Sequence, residues 1–193
     1  MGKDTLPISR RLPTMTGAHL QEATLWAAQL HSGQFRDGEA PVPYIAHPIE
    51  VMSLLRHVGG VSDEEMLCGA VLHDTVESCG IAFADIEARF GSRVAGLVRG
   101  MTRSEPSDAQ IAGLSREALW QLRSEMLLED IRRMDPEVWP IKLADRLSNL
   151  REAEHAKSEK KLDRYRKQTE SILAIIPKSA NVALWKAIRA ELG

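Results

Sequence analysis

Two cysteines in 193 residues, Cys68 and Cys79, are too few and too close together for a disulfide framework or a zinc-binding spacing. They are expected to be reduced, structural thiols. The chain also has no apolar run near the roughly 18 residues needed to span a bilayer, and its first fifteen residues lack the apolar core of a secretory signal. Lys3, Arg10 and Arg11 interrupt that stretch, so a soluble, cytoplasmic protein with no membrane partner is expected. Nor is there an excess of charge, since the net charge is −2 and the isoelectric point about 6.3. That balance gives no global attraction for a nucleic acid polymer, so an anionic ligand must be a small molecule held by a local basic cluster. Strand signals are scarce as well. Hydrophobic residues make up 44% and charged residues 27%, ordinary for one globular domain with a substantial core.

Most segments between Gly and Pro punctuation place apolar residues three and four apart, which predicts an all-α fold. Residues 1–15 read as a flexible N-terminal segment and 16–193 as a single domain. The first helix runs from Thr16 as N-cap to the glycine of His31-Ser32-Gly33. Gln34 to Ala46, with Gly38, Pro41 and Pro43, reads as a loop shaping a pocket rim. Pro48 opens a second helix, Ile49 to about Val58, with His47 at its entrance. Ser62 and Glu65 form a capping box for a third helix carrying His73, Asp74 and Glu77. Helices over Phe83–Phe90 and Ser92–Thr102, a polar loop over Arg103–Gly113, and a helix over Ser115–Met134 follow. After Asp135-Pro136 comes a helix bearing Lys142-Leu143-Ala144-Asp145-Arg146-Leu147-Ser148-Asn149-Leu150. Glu159–Ile176 and Ser179–Leu192 close the chain as scaffold, with a surface around Trp185 suited to self-association as a homo-oligomer.

The run Gly69-Ala70-Val71-Leu72-His73-Asp74-Thr75-Val76-Glu77 sets an imidazole and a carboxylate among apolar helix formers. Burying both is unfavourable unless they are paired, and a divalent cation satisfies both at once. Glu77 lies one turn beyond the pair. Asp145, flanked by Leu143, Ala144 and Leu147, is another carboxylate aimed inward, with Asn149 one turn on and Lys142 one turn from Arg146. His31, His57 and His155 are read as structural or surface residues. Trp26, Trp120, Trp139 and Trp185 are read as core or helix-interface residues outside the chemistry.

His47-Pro48, then His73-Asp74 with Glu77, then the Lys142–Asn149 run, resemble in order and spacing the HD-domain hydrolases of RelA/SpoT type. With Gly33-Gln34-Phe35-Arg36 and Pro43-Tyr44-Ile45-Ala46-His47 preceding, residues 16 to 155 resemble the stand-alone small alarmone hydrolases. The resemblance implies an HD-domain helical bundle of about eight to ten helices. It further implies one Mn²⁺ on His47, His73, Asp74 and Asp145, and removal of the 3′-pyrophosphate from (p)ppGpp to leave GDP or GTP. Two imidazoles and two carboxylates leave open positions on a six-coordinate ion, and such mixed donors suit Mn²⁺, Fe²⁺ or Mg²⁺. Glu77 is placed to take a proton from water, and Asn149, contacting ribose or phosphate, joins it as catalytic. Lys142 and Arg146 by spacing, and Arg36 by resemblance to an arginine packed on the purine, face the substrate together with Tyr44 and Ser78.

Three departures bear on that reading. Ser78 stands where the family has a second acid. Asp37 follows Arg36 where lysine is common, and the loop from Arg103 to Gly113 offers only Arg103 beside Glu105 and Asp108. Adenine alarmones, NADPH, and nucleotide binding without turnover therefore stay open as alternatives.

Overall fold

The computed structural model describes residues 17–36, 42–156 and 159–193. The expected N-cap Thr16, the segment 1–15, Gly38, Pro41, Asp37 and the side chain of His155 lie outside the described residues. The architecture is all-α: α1 (Ala18–Leu30), α2 (Ala46–His57), α3 (Glu64–Leu72), α4 (Thr75–Cys79), α5 (Phe83–Phe90), α6 (Ser92–Met101), α7 (Asp108–Ile111), α8 (Arg116–Arg133), α9 (Trp139–Ala156), α10 (Glu159–Ile175), a 3-10 turn (Lys178–Ala180) and α11 (Val182–Leu192). The one β pairing among the described residues is an isolated antiparallel bridge between Phe35 and Pro43.

Nine predicted helices appear, and two short ones are added. The polar loop after Arg103 folds one turn, α7, and the predicted third helix is interrupted. His73 and Asp74 occupy the joint between α3 and α4, where the Thr75 hydroxyl donates to the Leu72 carbonyl at 2.7 Å and diverts it from the helical ladder. The cap of α3 is Asp63, accepting from the Met66 amide at 3.0 Å, and not Ser62, because the helix starts one residue later than the capping-box spacing implied. Pro48 falls inside the first turn of α2, with His47 already helical. At the start of α1 the free amides of Gly17, His19 and Leu20 all donate to Glu64 Oε1, at 3.0 to 3.1 Å, so α3 caps α1 across 47 residues.

α3 is the central element, packed against α1, α2, α6 and α9. It divides two hydrophobic clusters. One joins Val51, Leu55, Leu97, Ile141, Leu147 and Leu150 with Ile172, Leu184 and Ile188, and the other joins Ala23, Ala27, Val71, Leu72, Ile86, Phe90 and Val98. Close approach is needed at Gly69, where an added Cβ would sit 3.0 Å from Leu97 Cβ. The packing holds the start of α2, the α3–α4 joint and the middle of α9 around one point.

Candidate metal centre and adjoining cavity

That point gathers His47, His73 and Asp145, whose donor atoms lie within 4.8 Å of one another and are all buried. Asp145 Oδ1 is 3.4 Å from His47 Nε2 and 3.8 Å from His73 Nε2. Asp74 completes the set, with Oδ2 at 3.7 Å from His47 Nε2 and Oδ1 at 3.1 Å from His73 Nε2.

The hydrogen bonds behind the rings fix which nitrogen faces inward. His73 Nδ1 is 2.8 Å from the Ala70 carbonyl, an obligate acceptor, so Nδ1 carries the proton. Ser148 Oγ gives its own proton to Glu50 Oε2 at 2.9 Å and can therefore only accept from His47 Nδ1, at 3.0 Å. Both Nε2 atoms turn to the common centre. His73 Nε2 is buried and makes no hydrogen bond, because its contact with Asp74 is close but poorly aligned. A buried imidazole nitrogen with no hydrogen bond among the described residues, set between two carboxylates, is what a divalent cation satisfies, so the residues fit a metal.

The charges are mutually dependent. Burial alone would lower the His73 pKa, but Asp74, Asp145 and the Ala70 carbonyl outweigh it and raise the value to about 9. Burial disfavours the Asp74 and Asp145 carboxylates, yet His73 for Asp74, and Lys142 with the two histidines for Asp145, hold both below the usual range. Tyr44 donates to Asp74 Oδ2 at 2.7 Å, and burial followed by the Asp74 charge lifts its phenol far above its ordinary value, keeping it a donor.

The cluster forms the floor of a cavity of about 620 Å³. All the other predicted site residues line it, but their engagements differ. Lys142 Nζ lies on Asp145 Oδ2 at 3.0 Å, and Asn149 Nδ2 donates to Asp145 Oδ1. Glu77 receives the Arg103 amide on Oε1 at 2.6 Å and its guanidinium on Oε2 at 2.9 and 3.1 Å. Ser78 is exposed at the wall and offers no carboxylate. Arg36 grips Glu152 through Nε and Nη2. Arg146, expected to face the substrate, reaches the cavity wall while two of its nitrogens are engaged behind it. It is buried, with Nε on Thr169 and Nη2 on Gln168 and the Tyr165 carbonyl, and it stacks 3.8 Å from the Tyr165 ring centroid.

Other residues of the wall were not foreseen. Trp120 and Arg123 come from α8, and Lys161, Tyr165 and Gln168 from α10, so α10 is more than scaffold and Trp120 is not confined to the core. Arg123 pairs with Glu105 at 3.2 Å. The behind-the-ring residues Ser148 and Glu50 were also missed, although each lies three residues from a candidate ligand, Asp145 and His47, on the same helix face. His31 behaves as a structural residue, buried, hydrogen-bonded to Gln34 and stacked on Tyr44 at 4.8 Å, and His57 is exposed.

Comparison with known proteins agrees with this geometry. The HD domain family matches residues 23–179. A probable guanosine-3′,5′-bis(diphosphate) 3′-pyrophosphohydrolase of Synechocystis sp. is 37% identical over 85% of this chain, which spans only 20% of that protein's length. The human guanosine-3′,5′-bis(diphosphate) 3′-pyrophosphohydrolase MESH1 is 36% identical, the alignment covering 70% of this chain and 69% of the human one. A solved structure of a metazoan ortholog of SpoT that hydrolyses ppGpp superposes with a TM-score of 0.77 at 27% identity, covering 94% of this chain and 96% of the other. With its two imidazoles and two carboxylates gathered from α2, the α3–α4 joint and α9, the chain belongs to the HD domain family, on the RelA/SpoT-type branch that includes the MESH1 proteins.

Proposed function

We propose that this chain is a metal-dependent pyrophosphohydrolase of guanosine-3′,5′-bis(diphosphate), consuming one water and releasing pyrophosphate with GDP, or with GTP from the pentaphosphate. The observation that carries the reading is the buried Nε2 of His73, close to two carboxylates but without a hydrogen bond among the described residues, at the floor of a nucleotide-sized cavity. The named activity of relatives about a third identical supports the choice of substrate. Held by His47, His73, Asp74 and Asp145, a divalent cation, for which we propose Mn²⁺, supplies Lewis-acid polarisation of a phosphoryl oxygen and of water.

The chain's own residues supply the rest. A new bond forms from the water oxygen to the phosphorus next to the ribose, and the bond from that phosphorus to the 3′-oxygen breaks. The proton leaving water passes to the Glu77 carboxylate, and the departing 3′-oxygen takes one up to become a hydroxyl. Glu77 is aimed for this by the Arg103 amide and guanidinium, which fix both of its oxygens at the cavity wall. Lys142 and Asn149 hold the Asp145 carboxylate, and Tyr44 holds that of Asp74, so neither has to reorganise during the reaction. Asn149 contacts the ribose or phosphate, Arg36 packs on the purine, and Arg123 and Lys161 meet the 5′-phosphates from the far wall.

Incubating the protein with Mn²⁺ and separate samples of ppGpp, pppGpp, ppApp and NADPH, then resolving products by ion exchange, tests the reading. Pyrophosphate from ppGpp and pppGpp is expected. Tight binding with no product sinks the enzymatic reading, and orthophosphate released from NADPH alone changes the reaction to that of a phosphatase.

A further inference from the structure

Glu152 lies on α9 seven residues after the metal ligand Asp145 and three after Asn149, so the three share one helix face. Its carboxylate takes Arg36 in a two-pronged grip: Nε reaches Oε1 at 2.6 Å and Nη2 reaches Oε2. The same Nη2 approaches Asn149 Oδ1 at 3.4 Å. The Arg36 guanidinium carbon stands 5.7 Å from the Tyr44 ring centroid, and Tyr44 in turn donates to Asp74. A continuous set of contacts thus runs from Glu152 through Arg36 and Tyr44 to the metal cluster. Arg36 and Glu152 both line the cavity, with side chains 15% and 29% exposed.

A guanidinium held edge-on by a carboxylate has its plane fixed while its faces stay available, which is what stacking on a flat heterocycle requires. A free arginine side chain would have to give up rotamer freedom to reach that pose. We propose that Glu152 is the positioning residue for the purine. It sets the plane of Arg36, and because it shares α9 with Asp145 it fixes the distance between nucleobase and scissile phosphate. Seven residues of helix separate base platform and metal ligand by about 10 Å along the axis. Glu152 itself makes no bond to the reacting atoms.

The inference rests on the substrate reading above, and its test separates the two. Steady-state constants with ppGpp, and calorimetric dissociation constants for GDP, are measured for the wild type, Glu152→Ala, Glu152→Gln, Arg36→Ala and the Glu152→Ala/Arg36→Ala double variant, each checked for unchanged thermal melting. Glu152→Ala is expected to raise KM and the GDP dissociation constant about tenfold, with kcat within about threefold of wild type. Glu152→Gln, which keeps an acceptor, recovers part of the loss. In the Arg36→Ala background the second change adds less than about threefold, since one residue acts through the other. Multiplying losses in the double variant, unchanged binding in Glu152→Ala, or a wild type that does not bind GDP each overturn the inference. Should the wild type release no pyrophosphate while binding GDP, the reaction reading fails and the GDP arm alone decides the role of Glu152.

Discussion

At the scale of single residues, the ligands matter less for explaining this site than the groups that aim them. Ser148 is the sharpest case, being 1% exposed, giving its proton to Glu50 and receiving that of His47. Ser148→Ala leaves the His47 ring without its anchor and is expected to weaken Mn²⁺ binding by about 10- to 100-fold, read by calorimetry or by the electron paramagnetic signal of free Mn²⁺. An unchanged affinity would show that packing alone orients His47. Arg103 offers a contrasting case. Its side chain is 54% exposed, so Arg103→Ala is expected to cost less than about 1 kcal/mol of stability in urea titration. Its loss leaves Glu77 with only the backbone amide of residue 103, and kcat with ppGpp is expected to fall on the order of tenfold while KM changes less. A rise in KM with kcat unchanged would remove Glu77 as the proton acceptor. Ser78 sits beside this pair on the cavity wall and offers no carboxylate.

At the scale of elements, α6 carries an internal comparison. Both Gly96 and Gly100 are helical, so alanine removes the same conformational freedom from the unfolded chain at each. A Cβ on Gly96 meets nothing within 4 Å, whereas one on Gly100 would lie 2.7 Å from Val138 Cγ2 in the segment leading into α9. Gly96→Ala is therefore expected to stabilise by about 0.5–1 kcal/mol, and Gly100→Ala to destabilise by about 1–3 kcal/mol. Equal effects in chemical denaturation would mean that α6 and the start of α9 are free to separate.

Element boundaries show what the sequence could and could not reveal. The span Phe83–Phe90 is legible to the residue because Gly91 stops it and its apolar positions repeat at helical spacing. The joint at His73-Asp74 is not, since no Gly or Pro marks it and both residues keep right-handed helical angles; the break comes from a hydroxyl competing for one carbonyl. Glu64 capping α1, and Glu50 reaching Ser148 across 98 residues, are long-range pairings with no local signature. His73, Asp74 and Asp145 stood out because burying such groups in an apolar run demands a partner, whereas His47, beside Pro48, was marked only by the family resemblance. The contribution of α10 could not be read, because it depends on how that helix packs on α8 and α9.

At the scale of the whole molecule, the proposed ligands come from α2, the α3–α4 joint and α9, so a bound metal would couple its binding to folding. Without metal, His73 is raised from 6.5 to about 9 by Asp74 and Asp145 against the effect of burial. A histidine raised in this way contributes stability in full below its unfolded value of 6.5, and that contribution is lost as pH rises through about 9. The metal-free protein should accordingly weaken between those limits. Metal needs the same Nε2 lone pair, so binding below pH 9 expels a proton and affinity should rise about tenfold per pH unit. At a free metal concentration 100 times the dissociation constant the fold gains about 2.7 kcal/mol, and each further tenfold in affinity adds about 1.4 kcal/mol. Thermal melts with Mn²⁺ and with chelator at pH 7 and pH 8 are expected to show a wider separation at pH 8, and calorimetry in two buffers of different ionisation enthalpy a release of about one proton per ion. A separation independent of pH, with no proton released, would mean that the ion does not take the His73 nitrogen.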